Sequence, residues 1–93
     1  MRLPLIFLPE AEQEFKEAIT WYAKQKKGLG KKFSQAVKRL LKIIQATPKM
    51  HAFVVDDVRK ATIKVFPYVI LYRVTTNNII IVAVFHTKRD PSV

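Results

Sequence analysis

The sequence contains no cysteine and only two glycines, and each shortage excludes a kind of protein. Without thiols there is neither a disulfide framework nor a thiolate metal site, which fits a reducing cytosol. Two glycines are too few for a phosphate-binding loop or a dinucleotide-binding fingerprint. The histidines are His51 and His86 alone, and few carboxylates lie outside the first predicted helix. We therefore predict neither a metal ion nor another cofactor.

Long hydrophobic runs are also missing. The apolar opening, residues 3–8, contains a proline and no small-residue cleavage site, so we interpret it as belonging to the mature fold. The longest other apolar run extends from Ile79 to Phe85, far short of the ~20 residues of a membrane-spanning helix. We expect a cytoplasmic protein that does not enter a membrane.

Acidic side chains are scarce, with 7 Asp and Glu against 17 Lys and Arg, and the net charge is +10. The length of 93 residues suits one hydrophobic core, so we predict a single domain over residues 1–93. So large a charge on so small a surface attracts polyanions or an acidic protein. The alternative is that the lysines only confer solubility.

Apolar residues that recur every three or four positions predict a first helix over residues 9–26. Gly28 and Gly30 interrupt the pattern, and a second apolar stripe predicts another helix from Leu29 to a point before Pro48. The cations opposite the second stripe are Lys31, Lys32, Lys38, Arg39 and Lys42. We predict a helical hairpin whose second helix has one apolar face and one cationic, partner-binding face.

After Pro48, β-branched and aromatic residues predominate and indicate strands. We predict strands near residues 51–56, 58–66, 68–75 and 78–86, in addition to a first strand over 3–8. Asp56-Asp57 and Asn77-Asn78 are predicted turn pairs. The predicted fold class is α+β, with an N-terminal strand, a two-helix hairpin, and then antiparallel strands that form a sheet packed on the hairpin.

The last two predicted strands lack the alternation of apolar and polar residues that a half-exposed sheet shows. Residues 79–85 are apolar throughout, and residues 69–72 are nearly so. Apolar groups should therefore lie on both faces of the sheet. Either a partner covers the second face, or neighbouring side chains and sheet curvature shield it.

Several motifs occur together in one order along the chain. In the first half they are Leu8-Pro9-Glu10-Ala11-Glu12, Trp21-Tyr22, Leu29-Gly30 with Phe33, and Ile44 with Pro48. In the second half they are Arg59, Phe66-Pro67-Tyr68-Val69-Ile70-Leu71-Tyr72, Ile81, and His86-Thr87-Lys88-Arg89-Asp90-Pro91. This pattern resembles ParE-like toxins of the RelE/ParE superfamily over nearly the whole chain. The resemblance implies the RelE/ParE fold and a toxin of a bacterial type II toxin–antitoxin system.

The resemblance also implies a partner, a cognate antitoxin that wraps the toxin and blocks it. A net charge of +10 suits an acidic, partly disordered antitoxin, and the apolar second face suits its helix or strand. The expected assemblies are a toxin homodimer or a heterotetramer of toxin and antitoxin.

The superfamily divides between inhibitors of DNA gyrase and ribosome-dependent mRNA endonucleases. Metal-free RNA cleavage needs a base, an acid and a cation that stabilises the phosphate. The candidates for a nuclease are Arg59, His86 and Arg89, and the candidates for binding are Tyr68, Tyr72 and Arg73 beside the helix cations Lys31, Lys38, Arg39 and Lys42. This set is thinner than that of the family's RNases and favours gyrase inhibition. The third hypothesis is a non-enzymatic, basic nucleic-acid-binding module or degenerate toxin.

Each candidate also has a structural interpretation. Arg59 would orient a turn or pair with a glutamate, and His86 would end its strand with a hydrogen bond. Arg89 would form an exposed ion pair with Asp90. The tyrosines Tyr68 and Tyr72 lie on one face of a strand and would pack in the core. Trp21 and Tyr22 would pack in the core or within the helical hairpin.

Overall fold

A computed structural model describes residues 2–88 of the chain, where one strand precedes a pair of helices and four strands follow it. The elements are β1 (Leu5–Phe7), α1 (Pro9–Gln25), α2 (Leu29–Ala46), β2 (Phe53–Val55), β3 (Val58–Thr62), β4 (Tyr68–Val74) and β5 (Ile79–His86). This order confirms the predicted α+β fold with its strand, helical hairpin and sheet. Within residues 2–88, neither helix is long and apolar enough to cross a membrane.

The helical hairpin depends on one proline and two glycines. Pro9 begins α1, where its missing N–H has no acceptor to lose, and two acidic residues occupy the first turn. Gly28 has φ +83°, a left-handed conformation that ends the turn between the helices and starts α2. At Gly30 a Cβ atom would lie 2.8 Å from the carbonyl oxygen of Ile19. The two helices therefore approach closely because this residue has no side chain.

The sheet has the strand order β1-β5-β4-β3-β2. The consecutive strands β2 to β5 pair antiparallel, as predicted. β1 pairs parallel with β5, with Leu5 opposite Ile79 and Phe7 opposite Ile81. The sheet is therefore mixed. The hairpin of α1 and α2 carries the chain from β1 at one edge of the sheet to β2 at the other, and the antiparallel strands then lead back to β5 beside β1.

The predicted strand bounds differ from the observed ones by one or two residues, except at one end where the error is larger. The strand predicted over residues 58–66 ends at Thr62, and residues 63–67 form a bend instead. Val65 has φ +77°, which is incompatible with a strand. The predicted Asp56-Asp57 turn is confirmed by φ +47° at Asp56, and Thr75 accepts a hydrogen bond from the backbone N–H of Asn78 in the second turn.

Both helices cover the same face of the sheet, and the buried side chains form one cluster. The largest side chains with less than 2% exposure are Tyr72, Phe33, Ile44, Ile70, Ile79, Ile81, Val37 and Val84. Tyr22 joins this core, as predicted, but Trp21 is 50% exposed. Trp21 leaves the core because it precedes Tyr22 on the helix by one position, which turns it away from the sheet.

Candidate functional site

Arg59 lies at the start of β3 and makes three contacts within the chain. Its Nη1 donates to the carbonyl oxygens of His51 at 2.6 Å and Lys49 at 3.1 Å. Its guanidinium carbon lies 3.9 Å from the ring centroid of Phe53, a cation–π contact. Arg59 therefore ties the connection between α2 and β2 to the sheet edge.

The buried hydroxyl of Tyr72 also holds the connection between α2 and β2. Tyr72 is 0% exposed, and its hydroxyl donates to the carbonyl oxygen of Pro48 at 2.8 Å. The hydroxyl oxygen of Tyr72 also lies 3.1 Å from Nδ1 of His51. A tyrosine hydroxyl has one proton, so Nδ1 of His51 is the donor in this pair and carries a hydrogen. Burial raises the pKa of Tyr72, and the nearby Arg59 guanidinium opposes that shift.

The structure does not bring Arg59 and His86 together. On opposite sides of β4, Arg59 pairs with Tyr72 and His86 pairs with Tyr68. Four residues along a strand and two inter-strand spacings separate their backbones by roughly 16 Å, well over the width of one nucleotide. Nδ1 of His86 accepts the backbone N–H of Lys88 at 3.0 Å, and its ring packs 5.1 Å from that of Tyr68. Arg89, the third predicted nuclease residue, lies outside the described residues.

The two tyrosines predicted to bind a partner lie in the core. Tyr68 and Tyr72 are 4% and 0% exposed and sit on the helix-covered face of β4. Tyr68 packs against Tyr22 and Phe33 with ring centroids 6.0 and 4.9 Å away. Their rings therefore have no surface left for a partner, and the structural interpretation accounts for both.

The cations of α2 are exposed, and they divide into two stripes. Lys31, Lys38 and Lys42 follow one another at helical spacing and form the basic stripe, which points away from the core. Lys32 and Arg39 lie about 90° further round the helix and face a groove instead. α2 contains no acidic residue, so both stripes are purely cationic.

We call this groove the α2 groove; it runs between α2 and the bend at residues 63–67 and has a volume of about 1010 Å³. Its apolar walls include Leu40, Ile43, Ile63, Val65 and Phe66. Its charged edges are Lys32 and Arg39 on α2 and Lys64 on the bend. Such a trough suits an amphipathic segment with acidic flanks. The sequence did not predict it, because it forms between elements that are distant along the chain.

The sheet has a second face that no described element covers. We call it the open face; its residues, matched across the strands, are Ile6, Val69, Leu71, Arg73, Ile80, Ala83 and Phe85. This confirms the prediction of apolar groups on both faces. Val69 is only 3% exposed because its neighbours on the same face shield it, whereas Ile6 is 44% exposed. Neighbouring side chains thus cover some of the face and leave the rest to water.

Arg73 is the exception on this face. Its Nε atom is buried and has no hydrogen-bond partner among the described residues. A buried donor without an acceptor costs about 1–3 kcal/mol. Arg73 was predicted as a binding residue from the sequence, but its buried and unpaired Nε was not foreseen.

One further contact was not predicted from the sequence. Oε1 of Glu14 on α1 accepts the backbone N–H of Val84 at 2.9 Å. The contact lies just beyond the irregularity in the pairing of β4 with β5, where Leu71 pairs with Ala83 and Tyr72 with Ile81. Val82 is thus left out of the register, and the carboxylate of Glu14 supplies a hydrogen-bond acceptor near that break.

Comparison with known proteins identifies relatives over nearly the whole chain. A protein family described as the ParE toxin of the type II toxin–antitoxin system parDE matches residues 5–91. No curated protein matches the sequence. Among solved structures, the chromosomal ParDE toxin–antitoxin system from P. aeruginosa has a TM-score of 0.77 at 20% identity, over 91% of this chain and 96% of that one. The YoeB dimer from Staphylococcus aureus has a TM-score of 0.63 at 22% identity, over 89% and 94% of the two chains. At these identities the structures demonstrate a shared fold.

Proposed function

The chain belongs to the ParE toxin family of type II toxin–antitoxin systems, and we propose that it arrests bacterial growth by binding and inhibiting DNA gyrase. On this proposal residues 1–93 act as one domain in the cytoplasm, and the activity is binding rather than catalysis. A cognate acidic antitoxin neutralises it.

The observation that carries this proposal is the separation of the nuclease candidates. General acid–base cleavage of RNA requires its groups within hydrogen-bond reach of one phosphodiester. Arg59 and His86 pair with opposite ends of β4, and the Arg59 guanidinium already serves two backbone carbonyls and an aromatic ring. An inhibitor that acts by binding needs no such assembly.

The charge distribution supports an acidic neutralising partner. The α2 groove combines apolar walls with Lys32, Arg39 and Lys64 at its edges. An acidic amphipathic segment would bury its apolar side chains there and place carboxylates beside those cations. We therefore propose the α2 groove as an antitoxin-binding surface.

The test is paired pulse-labelling of DNA and protein synthesis in bacteria during the first minutes after the chain is induced without its antitoxin. We expect DNA labelling to fall first while translation continues, and purified gyrase to lose supercoiling activity as the chain is added. An early fall in protein labelling with intact DNA synthesis would overturn the gyrase proposal and favour a ribosome-dependent RNase.

A matched pair of variants tests whether the basic stripe contributes to the toxin's activity. The triple change Lys31→Gln, Lys38→Gln and Lys42→Gln removes the stripe, and the triple change Lys24→Gln, Lys26→Gln and Lys27→Gln removes the same charge near the helical turn. We expect the first to weaken growth arrest more than the second. Equal effects would indicate that only net charge matters, as for a non-specific nucleic-acid binder whose affinity falls steeply with salt.

A further inference from the structure

A second cavity, of about 420 Å³, lies where α1 meets the start of β4 and the end of β5. We call it the α1 pocket. Glu14, Glu17 and Trp21 form its helix side, and its strand side includes Tyr68 and His86. The three helix residues follow one another at spacings of three and four, so they lie on one stripe of α1. Two carboxylates and an indole therefore line one cavity.

The charge of the α1 pocket is opposite to that of the chain as a whole. The net charge of the chain is +10, yet the described residues that line the pocket include two carboxylates and neither lysine nor arginine. Lys16 and Lys24 line a neighbouring depression instead, and Lys16 pairs with Glu12 at 3.7 Å. Negative charge concentrated in a cleft attracts a positive group. The α1 pocket therefore selects a cation.

One carboxylate oxygen of Glu17 is available to such a ligand. Its Oε2 accepts the side-chain amide of Gln13 at 3.1 Å, and its Oε1 has neither a hydrogen bond nor an ion pair within residues 2–88. The carboxylate of Glu14, by contrast, already accepts the backbone N–H of Val84. Glu14 is therefore held as part of the pocket wall, and Glu17 is the acceptor that a cation would meet.

Trp21 gives the α1 pocket a flat aromatic wall. Its side chain is 50% exposed, and its ring contacts that of Tyr22 edge to face with centroids 5.0 Å apart. An indole attracts cations more strongly than the other aromatic rings do. A planar guanidinium stacks on such a ring and can donate two parallel hydrogen bonds to a carboxylate, whereas an ammonium is a compact point charge. The pairing of Trp21 with Glu17 therefore favours arginine over lysine.

We propose that the α1 pocket binds an arginine side chain of the toxin's target protein, with the guanidinium stacked on Trp21 and paired with Glu17. This inference rests on the proposed function in one respect, since it takes the chain to act by binding a protein. The antitoxin is the less suitable source of the arginine, because a partner that neutralises a net charge of +10 is acidic. Trp21 and Glu17 are then specificity-determining residues for the target.

Three other occupants fit less well. A metal ion would need at least three ligands, and no group of three acidic or histidine side chains within residues 2–88 is arranged to hold one. A nucleic acid would stack a base on Trp21, but it would bring its phosphates toward Glu14 and Glu17. A second copy of this chain would be repelled by the shared charge of +10.

The first experiment tests the chemistry of the α1 pocket by NMR. Trp21 is the only tryptophan in the chain, so its indole N–H gives a single signal that needs no further assignment. Titration of the full chain with N-acetyl-arginine amide at constant ionic strength should shift this signal saturably, with a Kd on the order of 10 mM. N-acetyl-lysine amide should bind at least about threefold more weakly.

A matched pair of variants tests the role of Glu17 in the same titration. Glu17→Gln should raise the Kd of the arginine amide about threefold, because an exposed ion pair is lost. Glu10→Gln removes the same charge from the same helix outside the pocket, and it should leave Kd within about 1.5-fold. A shift that does not saturate, equal binding of the two amides, or equal effects of the two variants would each overturn the proposal.

Arg89→Gln tests whether the chain's own C-terminal arginine is the occupant. If the arginine amide bound this variant more than about threefold tighter than the unaltered chain, Arg89 would be competing for the α1 pocket, and the assignment to another protein would be overturned. An unchanged Kd supports an occupant from outside the chain.

Growth arrest tests the assignment to the target, with the variants induced to equal protein levels. We expect Glu17→Gln to weaken growth arrest more than Glu10→Gln does, while its affinity for the antitoxin from the same operon stays within about twofold. Unchanged growth arrest, or a loss confined to antitoxin affinity, would overturn the assignment. If gyrase supercoiling is insensitive to the chain while Glu17→Gln still weakens growth arrest, the gyrase proposal fails and this inference stands.

Discussion

The two faces of the sheet differ in how completely the chain itself buries their side chains and pairs their polar atoms. On the helix-covered face Ile70, Tyr72 and Ile81 are 0% exposed, and the Tyr72 hydroxyl there donates to Pro48. On the open face Ile6 remains 44% exposed and Arg73 has a buried donor without an acceptor among the described residues. The helix-covered face therefore completes its packing and hydrogen bonds within the described chain, whereas the open face leaves apolar surface exposed and one buried donor unpaired.

The largest predicted effect contrasts the faces directly. Phe33→Ala removes a ring with 0% exposure that packs against Tyr22, Phe66 and Tyr68, and we expect it to lower the free energy of unfolding by about 3–5 kcal/mol. Leu71→Ala on the open face should cost less than about 2 kcal/mol, because Leu71 is only partly buried. Denaturant unfolding measures both, with equal m values as the control.

If instead Leu71→Ala destabilised the free chain as much as Phe33→Ala, the open face would belong to the folding core. Binding separates the two changes further, since Leu71→Ala should weaken antitoxin affinity while the chain stays folded. A chain that binds antitoxin equally well with and without Leu71 would contradict the contrast.

A smaller effect tests the hydrogen bonds that the Tyr72 hydroxyl makes on the helix-covered face. Tyr72→Phe deletes the hydroxyl that donates to Pro48 and accepts from His51, and it leaves the Pro48 carbonyl without that donor. We expect a loss of about 1–2 kcal/mol in the free energy of unfolding. A free energy of unfolding for Tyr72→Phe equal to that of the unaltered chain would show that these hydrogen bonds add nothing to stability.

Tyr72 should also make the free energy of unfolding depend on pH. Burial raises the pKa of Tyr72 above its usual value near 10, so the folded chain holds the phenolic proton more tightly than the unfolded chain does. The stability that this proton contributes is therefore complete below about pH 10 and is lost as the pH rises above it, since the unfolded state releases the proton first. Tyr72→Phe should lose less stability than the unaltered chain as the pH rises above about 10. Parallel curves would contradict a raised pKa.

How much the sequence predicted depended on whether an interaction was local. Helix periodicity, Pro9 and Gly28 predicted the hairpin, and the absence of alternation in residues 79–85 predicted apolar groups on both faces. The parallel pairing of β1 with β5 was not predicted, because it joins Leu5 to Ile79 across most of the chain and leaves no local signal.

The candidate site was predicted by residue type rather than by geometry. The cations of α2 are exposed as expected, but their division into a basic stripe and a groove edge depends on the bend at residues 63–67. Arg59 and His86 were chosen for chemistry that also serves structure, and only the strand register separates them. The unpaired Nε of Arg73 is invisible in a sequence, because it depends on what surrounds the side chain.

The smallest predicted effect concerns the α2 groove. Here the substitution should raise the free energy of unfolding instead of lowering it. Val65 is 95% exposed and has φ +77°, a conformation that a β-branched residue adopts only under strain. Val65→Asn should raise the free energy of unfolding by about 0.5–1 kcal/mol, because asparagine tolerates the left-handed region. Val54→Asn, an exposed change within β2, should be neutral or destabilising instead. Since Val65 lines the groove, Val65→Asn should also weaken antitoxin affinity. A gain in stability with unchanged affinity would show that the strained valine does not serve binding.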